Sequence, residues 1–253
     1  MCAQVLYFLE ESIMIKHLKG YFSMFEIILW SVSSLLVLIA FLVFDRSNWL
    51  ILCASLVGVT YLIFNAKGNP VGQVLVIIFS LMYGVISYKF SYFGEMITYL
   101  GMTMPMAVFA LISWLRNPFN GNRSEVTINS ISRTETVFMF FLSVVVTIVF
   151  YFILQAFNTA NIIPGTLSVT TSFLAVYLTF RRSPFYAVAY SANDIVLIVL
   201  WIMASMTDIR YIPVVVCFVV FLINDIYGFI SWQKMKKRQS CQKTFRLSGH
   251  DKV

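Results

Sequence analysis

Residues 183–206 read SPFYAVAYSANDIVLIVLWIMASM, an apolar run long enough to cross a bilayer with Asn193 and Asp194 at its centre. A carboxylate at bilayer depth costs several kcal/mol unless it faces a cavity or a partner, so it marks a functional site by default. Tyr186, Tyr190 and Trp201 accompany it, and Tyr190, Asp194 and Trp201 fall near one helical face at spacings of four and seven. The stretch predicts one wall of a polar, aromatic-lined pocket inside a membrane protein.

The rest of the chain agrees with a lipid solvent. Of its 253 residues 60% are hydrophobic and 11% charged, against roughly a quarter charged in soluble domains. Mean hydropathy is +0.84. The fold class is therefore an all-α polytopic membrane protein. The net charge of +7 comes from basic residues that punctuate apolar spans and gather in the tail, which fits orientation and lipid headgroups rather than nucleic acid. Cys2, Cys53, Cys217 and Cys241 show no metal or redox spacing, and His17 and His250 lie near the termini. No metal and no cofactor are expected. Glu10, Glu11, Lys16 and Lys19 interrupt the first residues, so no cleavable signal peptide is expected.

In chain order, a cytoplasmic N-terminal segment (1–23) leads into eight spans. They fall at about 24–44, 48–66, 70–90, 95–115, 134–157, 162–180, 184–206 and 211–232. A loop fills 116–133 and a basic cytoplasmic tail 233–253. With both termini inside, Lys67, Arg116, Arg123, Arg133, Arg181, Arg182 and the tail lysines are all cytoplasmic, and only Arg46, Lys89 and Arg210 are outside. An even number of spans preserves that agreement.

An internal repeat organises the spans. The joint at Asn65, NAKGNP, matches TFRRSP at Thr179, and ISW occurs at Ile112–Trp114 and Ile230–Trp232. Spans 2–4 and 6–8 thus form two parallel three-helix bundles joined by span 5 as a linker helix (3+1+3), with span 1 as an extra helix.

Polar residues then mark the interior. Ser80 takes the depth of Asp194 in the first unit, with Gln73 and Ser87 on its stripe. Asn224 and Asp225 form a second pair in span 8, slightly nearer the cytoplasm. Thr166, Thr170, Thr171 and Ser172 sit in span 6, and Thr98 follows Glu95 at the start of span 4. The plainer roles are back-bonding for Thr166, Thr171 and Ser87, interface anchoring for Tyr186, Trp114 and Trp232, and a helix-start charge at a water boundary for Glu95. Asp194 has no such alternative, since no intramembrane Lys or Arg can pair with it. Asp225 reads equally as gate or structure, and Trp201 and Thr98 join it as candidates for a gate or second polar site. A proton-sharing dyad of Asp194 and Asp225 is disfavoured by their different expected depths. No HExxH, Ser–His pair or nucleotide-binding loop is present, so neither an enzyme nor a self-powered pump is expected.

The 3+1+3 plan, Asn48–Trp49, the NAKGN joint, the YFGE turn and the RNPFNG…EV loop after Trp114 together resemble the PnuC-type vitamin transporters, relatives in fold of the SWEET carriers. The resemblance covers about 24–235. It implies uptake of nicotinamide riboside or a related vitamin precursor by facilitated diffusion, a homotrimer, and trapping by a cytoplasmic kinase. It also implies an aromatic clamp early in span 7, where the family often has two tryptophans and this chain has Phe185, Tyr186 and Tyr190. Phe93-Gly94-Glu95 with Thr98 likewise replaces the family's Tyr-Gly-Asp with Asn. On this reading Tyr186 and Tyr190 stack on the substrate ring, Asn193, Asp194 and Asn224 bind amide and hydroxyls, and Gln73 and Ser80 contribute from the first unit. Pro105 and Pro213 are candidate bend points. The alternatives are a proton-coupled carrier using Asp194, a thiamine or riboflavin transporter of the same family, and a membrane receptor or assembly factor.

Overall fold

A computed structural model describes residues 20–89, 92–159 and 161–250, with side chains to 243. The lead-in with Cys2, His17, Lys16 and Lys19 lies outside the described residues, as does the side chain of His250. Among the described residues, eight helices are long and apolar enough to cross a membrane. They are α1 (Met24–Phe44), α2 (Trp49–Ala66), α3 (Val71–Lys89), α4 (Phe93–Arg116), α5 (Arg133–Ala156), α6 (Ile162–Phe180), α7 (Tyr186–Ser205) and α8 (Ile212–His250). The last helix runs on well past the expected end at 232, because nothing between Ser231 and Gln242 breaks it. The 116–133 loop also departs from expectation, folding into a small antiparallel hairpin of β1 (Pro118–Phe119) and β2 (Asn122–Val126). Asn120 and Gly121 turn it with φ of 51° and 79°, the primed-turn geometry that an Asn-Gly pair favours.

Local chemistry sets the helix ends. Ser23 and Glu26 form a reciprocal capping box on α1, and Ser132 accepts from Glu135 N–H on α5. At the ends of α2 and α6, Gly68 (φ 64°) and Arg182 (φ 57°) take the left-handed conformation that closes a helix C-terminus. The two caps match bond for bond. Gly68 N donates to Asn65 O and Asn69 N to Phe64 O, while Arg182 N donates to Thr179 O and Ser183 N to Leu178 O.

Helix packing follows the repeat. α2, α3, α4, α6, α7 and α8 form a ring, each packed on the next and α8 back on α2. Exchanging α2 with α6, α3 with α7 and α4 with α8 leaves that ring unchanged. The ISW triplets explain two of its seams. Ser113 and Trp114 of α4 donate to the carbonyls of Phe180 and Thr179 at the end of α6, at 3.1 and 3.0 Å. Ser231 and Trp232 of α8 donate to those of Ala66 and Asn65 at the end of α2, at 2.7 Å each. These carbonyls belong to the last helical turns, which lack intrahelical donors. The loop crosses over both caps, Val126 N–H donating to Gly68 O and Asn129 N–H to Arg182 O, each at 3.0 Å. Gln239 of α8 ties the loop in turn, donating to Val126 O and accepting from Ile128 N.

Two helices stand outside the ring. α5 packs on α6 and leaves Phe138, Phe141, Ile148 and Phe152 more than half exposed, a surface that only lipid or another apolar partner tolerates. α1 packs on α2 and α8 and is pinned where Glu26 meets Lys67 at 3.2 Å, accepts from Tyr227 at 2.9 Å and caps Ser23. Glu26→Ala strands all three donors and is expected to cost about 2 kcal/mol, below the ~3–5 kcal/mol of a fully buried pair because Lys67 keeps access to water. Thermal unfolding in detergent checks this, with Glu26→Ala/Lys67→Met recovering part of the loss; an unchanged midpoint in the single variant would refute it.

Candidate functional site

The ring encloses a small cavity. Tyr61 of α2, Val76 and Phe79 of α3, Tyr99 and Thr103 of α4, Ser172 of α6, Tyr190, Asn193 and Asp194 of α7, and Phe218 and Phe221 of α8 line about 20 Å³, room for roughly one water. Every helix of the ring contributes, so the cavity lies where the two halves meet.

Asn193 and Asp194 diverge by about 100° because adjacent helical residues point to different neighbours. Asn193 turns to α6, where the hydroxyls of Thr171 and Ser172 each lie 2.9 Å from its Oδ1. Asp194 turns to α8, where the carboxyl of Asp225 is its neighbour. Its Oδ2 is buried with no donor aimed at it. The second pair diverges likewise. Asp225 meets Asp194, whereas Asn224 faces α1, donating to Ser33 Oγ at 3.0 Å and to Val220 O at 2.8 Å. The two carboxyls set apart by expected depth are therefore neighbours.

Two aromatic layers close the cavity. At the loop end, Trp114, Trp232 and Tyr186 are all buried, with ring centroids 5.5 Å apart for the tryptophans and 4.8 Å for Tyr186 and Trp232. All three were expected as interface anchors but are buried in the bundle, Trp114 and Trp232 drawn in by the Thr179 and Asn65 carbonyls and Tyr186 packed on Trp232. At the far end Tyr83 and Tyr99 pack tilted at 4.4 Å between ring centroids, and Trp201 sits against Tyr92 at 4.9 Å and Tyr211 at 5.7 Å.

Of the residues singled out from sequence, Tyr190, Asn193 and Asp194 thus line the cavity, with Asp225 directly behind. Tyr186 and Trp201 belong to the two closures instead, since seven residues carry Trp201 about 10 Å along the helix from Asp194. Gln73 donates to Asn65 Oδ1 at 2.9 Å and braces the α2–α3 joint. Ser80 is buried with its hydroxyl unpartnered, at the repeat position of Asp194, but does not line the cavity. Thr98 back-bonds to Gly94 O at 2.9 Å. Glu95 is not at a water boundary: it is 3% exposed and lies beside Ser168. Phe185, offered in the clamp, is half exposed.

Sequence reasoning missed Tyr61, Phe79, Tyr99, Thr103 and Phe221. Tyr99 and Thr103 reach the cavity through a π-helical turn, Tyr99–Thr103, just before Pro105. Proline's missing N–H disturbs the preceding hydrogen bonds, and such wide turns recur at functional sites. Pro105, read as a bend point, was the available signal.

Comparison with known proteins agrees with this architecture. The family model described as "Nicotinamide mononucleotide transporter" matches residues 48–234, α2 through the membrane part of α8. The chain is 26% identical over 231 residues to the nicotinamide riboside transporter PnuC of Neisseria mucosa, covering 90% of this chain and 88% of that one. It is 22% identical over 193 residues to the PnuC of Haemophilus influenzae, covering 76% and 82%. The crystal structure of the vitamin B3 transporter PnuC shares the fold, with a TM-score of 0.77 at 24% identity over 88% of this chain and 96% of that one. The closed ring of repeated helices, the polar cavity at its centre and the match across three quarters of the sequence together place this multi-pass membrane protein in the nicotinamide mononucleotide transporter (PnuC) family.

Proposed function

We propose that the chain carries nicotinamide riboside, or a closely related vitamin precursor, across the cell membrane. The observation that carries this reading is the charge of the cavity: Asp194 lines it, Asp225 stands behind, and its lining holds no Lys, Arg or His. A family described by a mononucleotide and relatives named for the riboside leave the phosphate in question. A phosphate needs cationic or N–H donors, and two carboxyls repel it. A pyridinium ring carries the complementary charge, and Tyr190, Tyr61, Phe79 and Tyr99 offer faces for it. Asn193 supplies an amide for the carboxamide or ribose hydroxyls.

Transport follows as facilitated diffusion by alternating access, with intracellular phosphorylation by a cytoplasmic kinase trapping the product. The two halves, α2–α4 and α6–α8, rock about the cavity. Small-molecule sites need some hundreds of Å³, so the 20 Å³ cavity is an occluded state that expands when one aromatic layer parts. Tyr186, next to Tyr190 at 6.2 Å, joins the ring clamp as the loop-end layer opens. The distribution of positive residues supports a cytoplasmic loop end and cytoplasmic termini, and the bare face of α5 suits a homotrimer.

The test is thermal stabilisation and proteoliposome uptake with nicotinamide riboside, nicotinamide mononucleotide, thiamine and riboflavin. The riboside is expected to stabilise the protein by about 2.7 kcal/mol at a hundred times its Kd, the mononucleotide not at all. Tyr190→Ala is expected to weaken the riboside about tenfold or more. Preference for the mononucleotide, or response to none of the four, would overturn the reading.

A further inference from the structure

Glu95 is a buried carboxyl that the cavity does not use. It is 3% exposed, and one of its oxygens meets no donor. Among the described residues it pairs with no cation. The basic residues at the far end are placed elsewhere. Lys89 is exposed at the end of α3, Arg210 is held by Asp208 at 2.6 Å, and Arg46 donates to Leu42 O. A carboxyl kept inside a span without a partner is costly and marks a site for one.

Its surroundings are aromatic. On α4 Glu95 follows Tyr92 by three residues and precedes Tyr99 by four, so all three leave one side of the chain. Tyr92 packs on Trp201 of α7 at 4.9 Å between ring centroids, Trp201 on Tyr83 of α3 at 6.2 Å, and Tyr83 on Tyr99 at 4.4 Å. The four rings thus form a circuit that begins and ends on the α4 face carrying Glu95. The Tyr83 hydroxyl and the Trp201 indole nitrogen are buried without partners as well. The closed layer therefore holds two donors and an acceptor that do not satisfy one another.

Each of these groups lies beyond a cavity residue on its own helix, toward the far end. Glu95 is one turn past Tyr99, Tyr83 one turn past Phe79, and Trp201 two turns past Asp194. Ser168 of α6, another buried hydroxyl without a partner, is one turn past Ser172.

We propose that Glu95 is the outer recognition carboxyl of the transport route. When the far-end layer parts, the freed faces of Tyr83, Tyr92, Tyr99 and Trp201 and the Glu95 carboxyl receive an organic cation on its way to the Asp194 cavity. This rests on the riboside reading above and on the far end facing outward. A pyridinium ring offers both halves of the contact, a π face for the rings and a charge for the carboxyl. An uncharged ring keeps only the first half. The substrate still runs down its own gradient with no ion exchanged, and Glu95 selects for a cation at the mouth.

The experiment is uptake by the full chain in proteoliposomes, with nicotinamide riboside and its uncharged dihydro form as probes. Glu95→Gln is expected to raise the KM of the riboside about tenfold or more, as loss of one charge-assisted contact does. KM rather than the maximal rate carries that loss, and the KM of the dihydro form moves by less than about twofold. A second measurement leaves Glu95 in place. Ser168→Cys in right-side-out vesicles is treated with cationic and anionic methanethiosulfonates of similar size. The cationic reagent is expected to react about tenfold faster, relative to a free thiol, because a carboxyl in a cleft concentrates cations. An equal KM shift for both probes, equal reagent rates, or no labelling from outside overturns this inference alone. Failure of the parent chain to take up the riboside sinks the substrate reading and this inference with it.

Discussion

Trp232→Ala is expected to cost about 3–5 kcal/mol of stability, the range for deleting a large buried aromatic side chain. Trp232 is fully buried against Trp114 and Tyr186, and its indole N–H caps the Asn65 carbonyl at 2.7 Å. Truncation empties the loop-end layer and removes the indole donor from the Asn65 carbonyl, leaving it only Gly68 N–H. At this chain length the unfolding midpoint should drop by roughly 6–20 °C. Trp232→Phe keeps most of the packing and loses the hydrogen bond, so it should cost about 1–2 kcal/mol. Because Trp114 makes the same contact with Thr179 in the other half, Trp114→Ala should match Trp232→Ala within about 1 kcal/mol, as two equivalent truncations do. Labelling of the buried thiol of Cys217 against temperature reports the midpoint. A Trp232→Ala midpoint within a degree or two of the parent would refute the seam.

Gly58→Leu is expected to abolish uptake at a cost of about 1–3 kcal/mol, the usual range for overpacking. Gly58 of α2 touches the Phe221 ring so closely that even a Cβ would collide with it, at 2.8 Å from Cε1 and less from Cζ. Phe221 lines the cavity and is packed by Tyr61, Phe79 and Phe218, so a ring pushed off Gly58 moves toward the open space. With about 20 Å³ there, the displaced ring fills the space that the substrate must occupy. Gly58→Leu/Phe221→Ala restores the volume, and contacting residues of this kind typically couple by about 0.5–3 kcal/mol. The double variant should therefore recover both stability and part of the uptake. Parental uptake by Gly58→Leu alone would mean that substrate passes elsewhere.

Span length and the repeat were legible because both are periodic properties of the chain. Eight apolar runs of bilayer length need only counting, and the ISW triplets and basic-proline joints mark equivalent positions whose hydrogen bonds prove equivalent in turn. The site was legible in part. Asn193 and Asp194 stood out because a polar pair in mid-span has few cheap explanations. Asn224 went the other way: it was assigned by likeness to Asn193, yet one residue of helical rotation decides whether a side chain sees the cavity or α1. Depth arguments likewise kept Asp225 from Asp194, because depth counted in residues ignores the shift between helices that pack side by side. Tyr61, Phe79 and Phe221 were lost among the chain's 13 tyrosines and 24 phenylalanines, where nothing local separates a lining ring from a core ring.

The exchange of caps between the halves also sets an order of assembly. The Thr179 carbonyl finds its donor already made, since Trp114 leaves the ribosome 65 residues earlier. The Asn65 carbonyl, held locally by Gly68 N–H, must wait for its indole donor on Trp232, 167 residues later, which at ~5–20 residues per second is roughly 10–30 s. During that interval the end of α2 keeps only its local Gly68 cap and the ring stays open at one seam. α6 can dock as it emerges, while α8 acts as the closing stave, and a chain halted before residue 232 should present an unclosed barrel of helices to the quality-control proteases of the membrane.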